Sequence, residues 1–305
     1  MTTTYQRQPT TNTNSIRQQI TDTIISQLEA GAVPWHKPWR NGQTGVIRLP
    51  KNYTTGNKYR GINIILLWGA ADDKEFSTQE WGTLKQWNAK KQSIRKGERG
   101  NMIMKYGIEE KEIEGELKEI PYVKRSIVFN RCQLKEYDAK TELGLTENPV
   151  DPIAAADAFV GNSKSIIDHH VGKAYFDPAC DQIFMPLQEC FIDTPTSTAT
   201  EGYYATLLHE LTHWTGYRTR LNRKFGAKEG DKDYATEELI AEFGAAFLCA
   251  ELGIHMPEQS DHAGYIAYWL EVLKNNKNCL FTAASEASKA VDYLQGHQPQ
   301  LQPTV

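Results

Sequence analysis

The stretch Leu207-Leu208-His209-Glu210-Leu211-Thr212-His213-Trp214-Thr215-Gly216 constrains this chain more than any other. Its His-Glu-x-x-His spacing puts two imidazoles at i and i+4, positions that share one face of a helix, so both rings can serve one metal ion. The local signals predict that helix. Thr200 stands where an N-cap belongs, Tyr204, Leu207, Leu208 and Leu211 recur at three and four residues, and Gly216 marks a stop. Catalytic zinc takes three protein ligands and keeps a fourth position for water, so one more ligand must come from elsewhere.

The next strongly helical stretch runs from Tyr234 to Leu248. Ile240, Phe243 and Phe247 form its apolar stripe, while Glu238 and Glu242 fall together on another face. Glu238 is assigned as the third ligand, with Glu237 and Glu242 as alternatives. Glu242 is expected to hold an imidazole of the first helix by its free N–H, and Glu210 to act on water as general base. Zn2+ is the expected ion, with Mn2+ as the alternative divalent metal. A purely structural site would have no need of Glu210, which favours hydrolysis. His262 and Tyr265, opening a later helix, could stabilise an oxyanion.

Charge divides the 305 residues into two halves. Residues 1–140 carry 23 Lys and Arg against 15 Asp and Glu, and the remainder 11 against 23. Five of the seven tryptophans, Trp35, Trp39, Trp68, Trp81 and Trp87, also lie in the basic half. Cations follow phosphates and rings stack on unpaired bases, so this combination points to single-stranded nucleic acid; tryptophans that simply fill a core are the competing explanation. Two tracts carry the candidates. The first is Trp35, Lys37, Trp39 and Arg40 with Lys58, Tyr59 and Arg60; the second is Lys90, Lys91, Arg95 and Lys96.

The five cysteines are odd in number and scattered, which argues against a disulfide framework and for a reducing compartment. There is no signal-peptide pattern and no apolar run long enough for a bilayer, so a cytoplasmic protein with no membrane partner is expected. The fold class expected is α+β in two domains, each able to bury its own core. Residues 1–13 read as a disordered tail and 14–140 as an α+β domain with a hairpin near Met102 to Phe129. Residues 141–153 read as a linker, 154–296 as a mainly helical domain with a small antiparallel sheet, and 297–305 as a tail. Residues 174–186 form a hairpin that could lend an edge strand to an extended peptide. The basic loop from Tyr217 to Lys232 is expected to touch the first domain or nucleic acid.

Taken in order, the motifs carry a resemblance. Pro34-Trp35-x-x-Pro38-Trp39, Tyr59-x-Gly61-x-Asn63, Asp177-Pro178 with Ile183-x-x-Pro186, His209-Glu210-Leu211-x-His213-Trp214-x-Gly216, Arg220-Leu221-x-Arg223 and Glu237-Glu238-Leu239-x-Ala241-Glu242 resemble the ArdC-type antirestriction proteins of conjugative plasmids. The resemblance spans nearly the whole chain. It implies an N-terminal domain that binds single-stranded DNA, similar to the start of plasmid primases, and a C-terminal zincin-like metallopeptidase domain. It also implies protection of incoming plasmid DNA from host restriction, with a protein substrate among host restriction factors. A non-enzymatic DNA shield with a structural or vestigial metal site is the alternative.

Overall fold

The computed structural model describes residues 11–35, 48–113, 116–138, 152–169, 172–194, 197–226, 231–257, 262–276 and 278–299. The expected tail residues 1–10 and 300–305, most of the expected linker, and Lys37, Trp39 and Arg40 lie outside them.

Helix α1 (Thr11–Glu29) buries Ile16, Ile20, Ile24 and Leu28, the stripe that the sequence predicts, but it begins three residues inside the expected tail. After it come β1 (Lys51–Asn52), α2 (Ile62–Asp73), β2 (Glu80–Gly82) and the short α3 (Leu84–Ala89). A long hairpin of β3 (Asn101–Ile113) and β4 (Glu116–Asn130) completes a four-stranded sheet in the order β1-β2-β4-β3. Asn63 clips α2 to the sheet. Its side chain donates to the Met104 carbonyl at 2.7 Å and accepts from the Met104 N–H at 2.8 Å.

The second half opens with α4 (Pro152–Ser163) and a three-stranded sheet of β5 (Ile166–His169), β6 (Tyr175–Asp177) and β7 (Gln182–Met185). The order is β5-β7-β6, and β5 runs parallel to β7, so the sheet is mixed rather than antiparallel. The Asp-Pro hairpin explains β6 and β7; that β5 lies parallel beside β7, with β6 intervening in the chain, is a placement no local turn signal reveals. Four helices follow: α5 (Ala199–Thr215), α6 (Lys232–Leu252), α7 (His262–Asn275) and α8 (Cys279–Gln295). Nearly every residue of α6 from Leu239 to Ala250 is buried, which makes it the central rod of this half.

The first half has a small core of its own, Leu67, Ala71, Trp81, Ile103 and Val128, but the main core is shared by both halves. A single apolar cluster runs from Ile16 on α1 through Trp35 and Trp68 to Phe243, Phe247 and Leu294. Trp35 meets Phe243 edge-on at 5.1 Å between ring centroids, and Trp68 meets Phe247 at 5.8 Å. Polar bonds reinforce the seam: Lys58 to Glu251 at 2.6 Å, Arg60 bidentate to Asp292, the Gly61 N–H to Ser288 Oγ at 2.9 Å, and Lys274 to Glu29 at 2.8 Å.

Many of the basic and aromatic side chains of the first half have partners within the protein. Trp35, Trp68, Trp81 and Trp87 are all buried, Trp35 to 2 % exposure, leaving no ring face for a base. Lys58 and Arg60 are paired with acids of the second half. Arg95 spends its guanidinium on Glu98 and on the Cys132 and Leu134 carbonyls. Tyr59 is half-buried, with its hydroxyl bonded to Asn52. Lys90, Lys91 and Lys96 remain exposed. A charge asymmetry along the sequence is therefore partly cancelled in space, because cations of one half face anions of the other. Trp35→Phe is expected to lower stability in a urea titration by about 1–3 kcal/mol, from lost ring volume and the lost indole N–H bond. Its single-stranded DNA affinity should stay within about twofold of wild type; a tenfold loss at unchanged stability would return Trp35 to the DNA surface.

Candidate metal centre

Helix α5 is capped by Thr198, two residues before the expected cap. The Thr198 hydroxyl accepts from the Glu201 N–H while the Glu201 carboxylate accepts from the Thr198 N–H, a reciprocal capping box. From that start the helix carries His209 and His213 onto one face, their ring centroids 4.9 Å apart. Glu238 arrives from α6. Its Oε2 lies 3.6 Å from His209 Nε2, and its Oε1 lies 3.6 Å from His213 Nε2.

Two close approaches let these helices meet. A Cβ on Gly244 of α6 would fall 2.4 Å from the Thr212 side chain on α5, so only glycine permits this crossing. Gly216 caps the C-terminus of α5, the stop that the sequence suggests, and it serves a second purpose. Its backbone is ordinary helix, and a Cβ there would strike the Arg223 guanidinium at 2.8 Å.

The room at Gly216 admits Arg223 to a buried clamp. Arg223 Nε donates to Glu237 Oε2 at 2.9 Å and Nη2 to Glu237 Oε1 at 2.7 Å. Further bonds run from Nη1 to Thr215 Oγ1 at 2.8 Å and from Nη2 to the Thr212 carbonyl at 2.7 Å. Glu237, 2 % exposed, then meets His213 Nδ1 at 3.1 Å. Burial alone would push the Glu237 carboxyl up, but the bonds from Arg223 and His213 outweigh it and hold it below the usual carboxylate range. An ionised Glu237 accepts the Nδ1 proton of His213, which aims the Nε2 lone pair at Glu238.

The role expected of Glu242 thus falls to Glu237. Glu242 lies one turn beyond Glu238 and instead accepts from the Tyr265 hydroxyl at 3.1 Å. That hydroxyl in turn accepts from Trp35 Nε1 at 3.0 Å. Burial first, then the charge of Glu242, raises the Tyr265 pKa well above its usual value, so the phenol keeps its proton. The His262 side chain lies outside the described residues.

Glu210 is buried at 7 % exposure, on the same helix and next to the first ligand candidate. His209 sits among acids. Burial opposes its charge, yet the bond to Glu238 and the charges of Glu210 and Glu242 win, and its pKa is pushed up to about 9. The same bond helps hold Glu238 below the usual carboxylate range against the opposing effect of burial. A pocket of negative charge around two imidazoles favours a cation.

The donor set also fits one geometrically. The ligand atoms of His209, His213 and Glu238 all lie within 4.8 Å of one another. Ligands held about 2.1 Å from a tetrahedral zinc stand about 3.4 Å apart, close to the spacing between Glu238 and each imidazole.

The basic loop after α5 belongs to this scaffold. Arg220 pairs bidentately with Asp181 in the β6–β7 turn and lies 3.8 Å over the Trp214 ring. A cavity of about 320 Å3 opens between Pro178, Ala179, Tyr217, Arg218, Arg223 and Phe225. Phe225 also stands beside His213, 6.3 Å between ring centroids. Among the described residues of this loop, Arg220 and Arg223 are bonded within their own half. The Arg223–Glu237 clamp is what the sequence reading missed, although Arg220-Leu221-x-Arg223 and the doubled glutamate were its available signals.

A metal-ready His-Glu-x-x-His helix crossed by a glutamate-bearing helix defines the second half as a zincin-like metallopeptidase domain, and residues 154–286 match the family model of that description. Residues 14–129 match the N-terminal domain of anti-restriction factor ArdC. The chain is 39 % identical to the metal-free crystal structure of the antirestriction ArdC protein from plasmid R388, with a TM-score of 0.75 over 92 % of this chain and 97 % of that one. For the Mn(II)-bound structure of the same protein the identity is 38 % and the TM-score 0.71. It is also 33 % identical to the uncharacterised protein y4eC of Sinorhizobium fredii (strain NBRC 101917 / NGR234), over 98 % of this chain and 97 % of that protein. The DNA primase TraC of Escherichia coli is 34 % identical, but there the match takes up 27 % of the primase. The chain belongs to the ArdC-type antirestriction family. Among the described residues, no helix is long and apolar enough to cross a membrane.

Proposed function

We propose that this protein binds single-stranded DNA in the cytoplasm and protects incoming conjugative plasmid DNA from host restriction. Its second domain is read as a zinc-dependent peptidase acting on a protein near that DNA, of the class of host restriction factors. The observation that carries the enzymatic half is the convergence of His209, His213 and Glu238 beside Glu210. End-to-end similarity to a plasmid antirestriction protein supports the protective half.

His209, His213 and Glu238 would hold the ion, Zn2+ or, as in the relative's Mn(II)-bound structure, Mn2+. A divalent metal bound there supplies Lewis acidity, polarising a carbonyl and making water more acidic. The remaining steps belong to the chain. Glu210 takes the proton from the attacking water and passes it to the departing amine. Glu237 and Arg223 keep His213 in its ligand tautomer. Strand β6 lies at a sheet edge, where an extended peptide can add by main-chain hydrogen bonds, and the neighbouring cavity has room for one of its side chains.

The test is plasmid transfer into restricting and non-restricting recipients. Wild-type protein is expected to raise transfer into the restricting strain only, and no difference would contradict the protective role. The purified full chain should bind an oligothymidine more tightly than duplex, with affinity falling steeply as salt rises. The Glu210→Ala chain divides the two halves of the reading, because full protection by it assigns protection to DNA binding alone.

A further inference from the structure

The β3–β4 ribbon sets two lysines side by side on one face. Its register sets Lys105 directly opposite Lys124, and both side chains are exposed. Two residues toward the tip, on the same face, Gly107 stands opposite Tyr122. A Cβ on Gly107 would lie 2.5 Å from the Tyr122 ring carbon Cζ and its hydroxyl, so the ring lies flat across the glycine. Lys124 Nζ lies over that ring, 4.4 Å from its centroid, where it can meet the phosphate beside a stacked base. Glu109 comes next on this face. The reverse face carries Arg125 opposite Met104 and, nearer the tip, Glu110 opposite Glu119, with Arg125 and both glutamates exposed.

Like charges directly opposite one another weaken an antiparallel pair, whereas exchanging lysine for glutamate across the strands would strengthen it. Strand pairing therefore does not account for the Lys105–Lys124 opposition. A ligand that brings negative charge to this face does. The tyrosine narrows the class: ammonium groups beside a flat-lying ring suit a polymer that alternates phosphates with bases, while an acidic peptide would use the cations and leave the ring idle.

We propose that the Lys105–Lys124 face of the ribbon seats the phosphodiester backbone of single-stranded DNA, with Tyr122 as the ring on which a base stacks. This rests on the DNA-binding reading above and gives it a location, apart from the tryptophans and from the paired Lys58 and Arg60.

Fluorescence anisotropy of the full chain with labelled oligothymidine, repeated over a salt series, is the test. The Lys105→Glu, Lys124→Glu chain should lose about tenfold or more in affinity at moderate salt, and its log–log salt slope should flatten by about 1.4 for two lost phosphate contacts. The single Lys105→Glu chain separates binding from folding. It turns a repulsive pair into an attractive one, so thermal stability should hold or rise while affinity falls. Glu110→Lys on the reverse face should likewise hold stability and should not weaken binding. If wild type binds the oligonucleotide and the double variant matches it in affinity and slope, the ribbon is not the seat and the DNA-binding reading stands. If wild type binds no oligonucleotide, the reading itself fails and the ribbon assignment with it. Displacement of the oligonucleotide by poly-glutamate at equal charge concentration would also overturn the proposal, assigning the face to an acidic protein.

Discussion

Arg223→Met is expected to destabilise the protein by about 3–5 kcal/mol, because it strands a buried carboxylate. Glu237 is 2 % exposed and takes two of its bonds from the Arg223 guanidinium; methionine fills similar space but supplies neither charge nor N–H. In calorimetry the loss should appear as a drop in Tm on the order of 10 °C. The pH dependence follows from the direction of the Glu237 shift. Its folded pKa is lowered below 4.5, so its contribution to stability is present above that value and fades as the pH falls through the lowered folded pKa. The gap between wild type and Arg223→Met should accordingly narrow in acid. Pairing the change with Glu237→Leu should restore part of the stability, since removing both partners leaves no stranded charge. Equal stability of Arg223→Met and wild type at neutral pH would contradict the clamp.

Glu210→Gln should abolish peptide cleavage while leaving the metal in place. Loss of a general base costs a hydrolase about 10^2–10^4 in rate, and glutamine keeps the shape of the carboxylate without its basicity. Cleavage would be followed by mass spectrometry on unfolded or extended polypeptides incubated with Zn2+-loaded or Mn2+-loaded protein, with metal content measured in parallel. Full cleavage by Glu210→Gln would remove Glu210 from the proton-transfer role. Loss of both metal and cleavage would make it a determinant of metal binding instead.

The parts of the site that could be read from the sequence are those fixed by one helix. His209 and His213 share a face because of helical period alone, and the structure puts both imidazoles against one carboxylate. Which glutamate does what is not a local property. Glu237, Glu238 and Glu242 lie within two turns of one helix, and only the approach of α5, allowed by Gly244, decides that Glu238 faces the imidazoles' Nε2 atoms and Glu237 a buried arginine. Composition misled where a side chain has two uses. A tryptophan serves a core as well as a base, and the structure spends Trp35 on Phe243 and Tyr265. A cation serves a carboxylate as well as a phosphate, and Arg60 meets Asp292. Those partners are more than two hundred residues away, beyond the reach of any window of sequence.

Whether His209, His213 and Glu238 bind one divalent ion is decided by anomalous diffraction from crystals of the protein soaked in Zn2+ or Mn2+, with metal content determined in solution on the same preparation. About one ion per chain is expected, within about 2.0–2.2 Å of both Nε2 atoms and a Glu238 oxygen, and none in a chain carrying His209→Ala and His213→Ala. An anomalous peak elsewhere, or stoichiometric metal retained by that double variant, would contradict it.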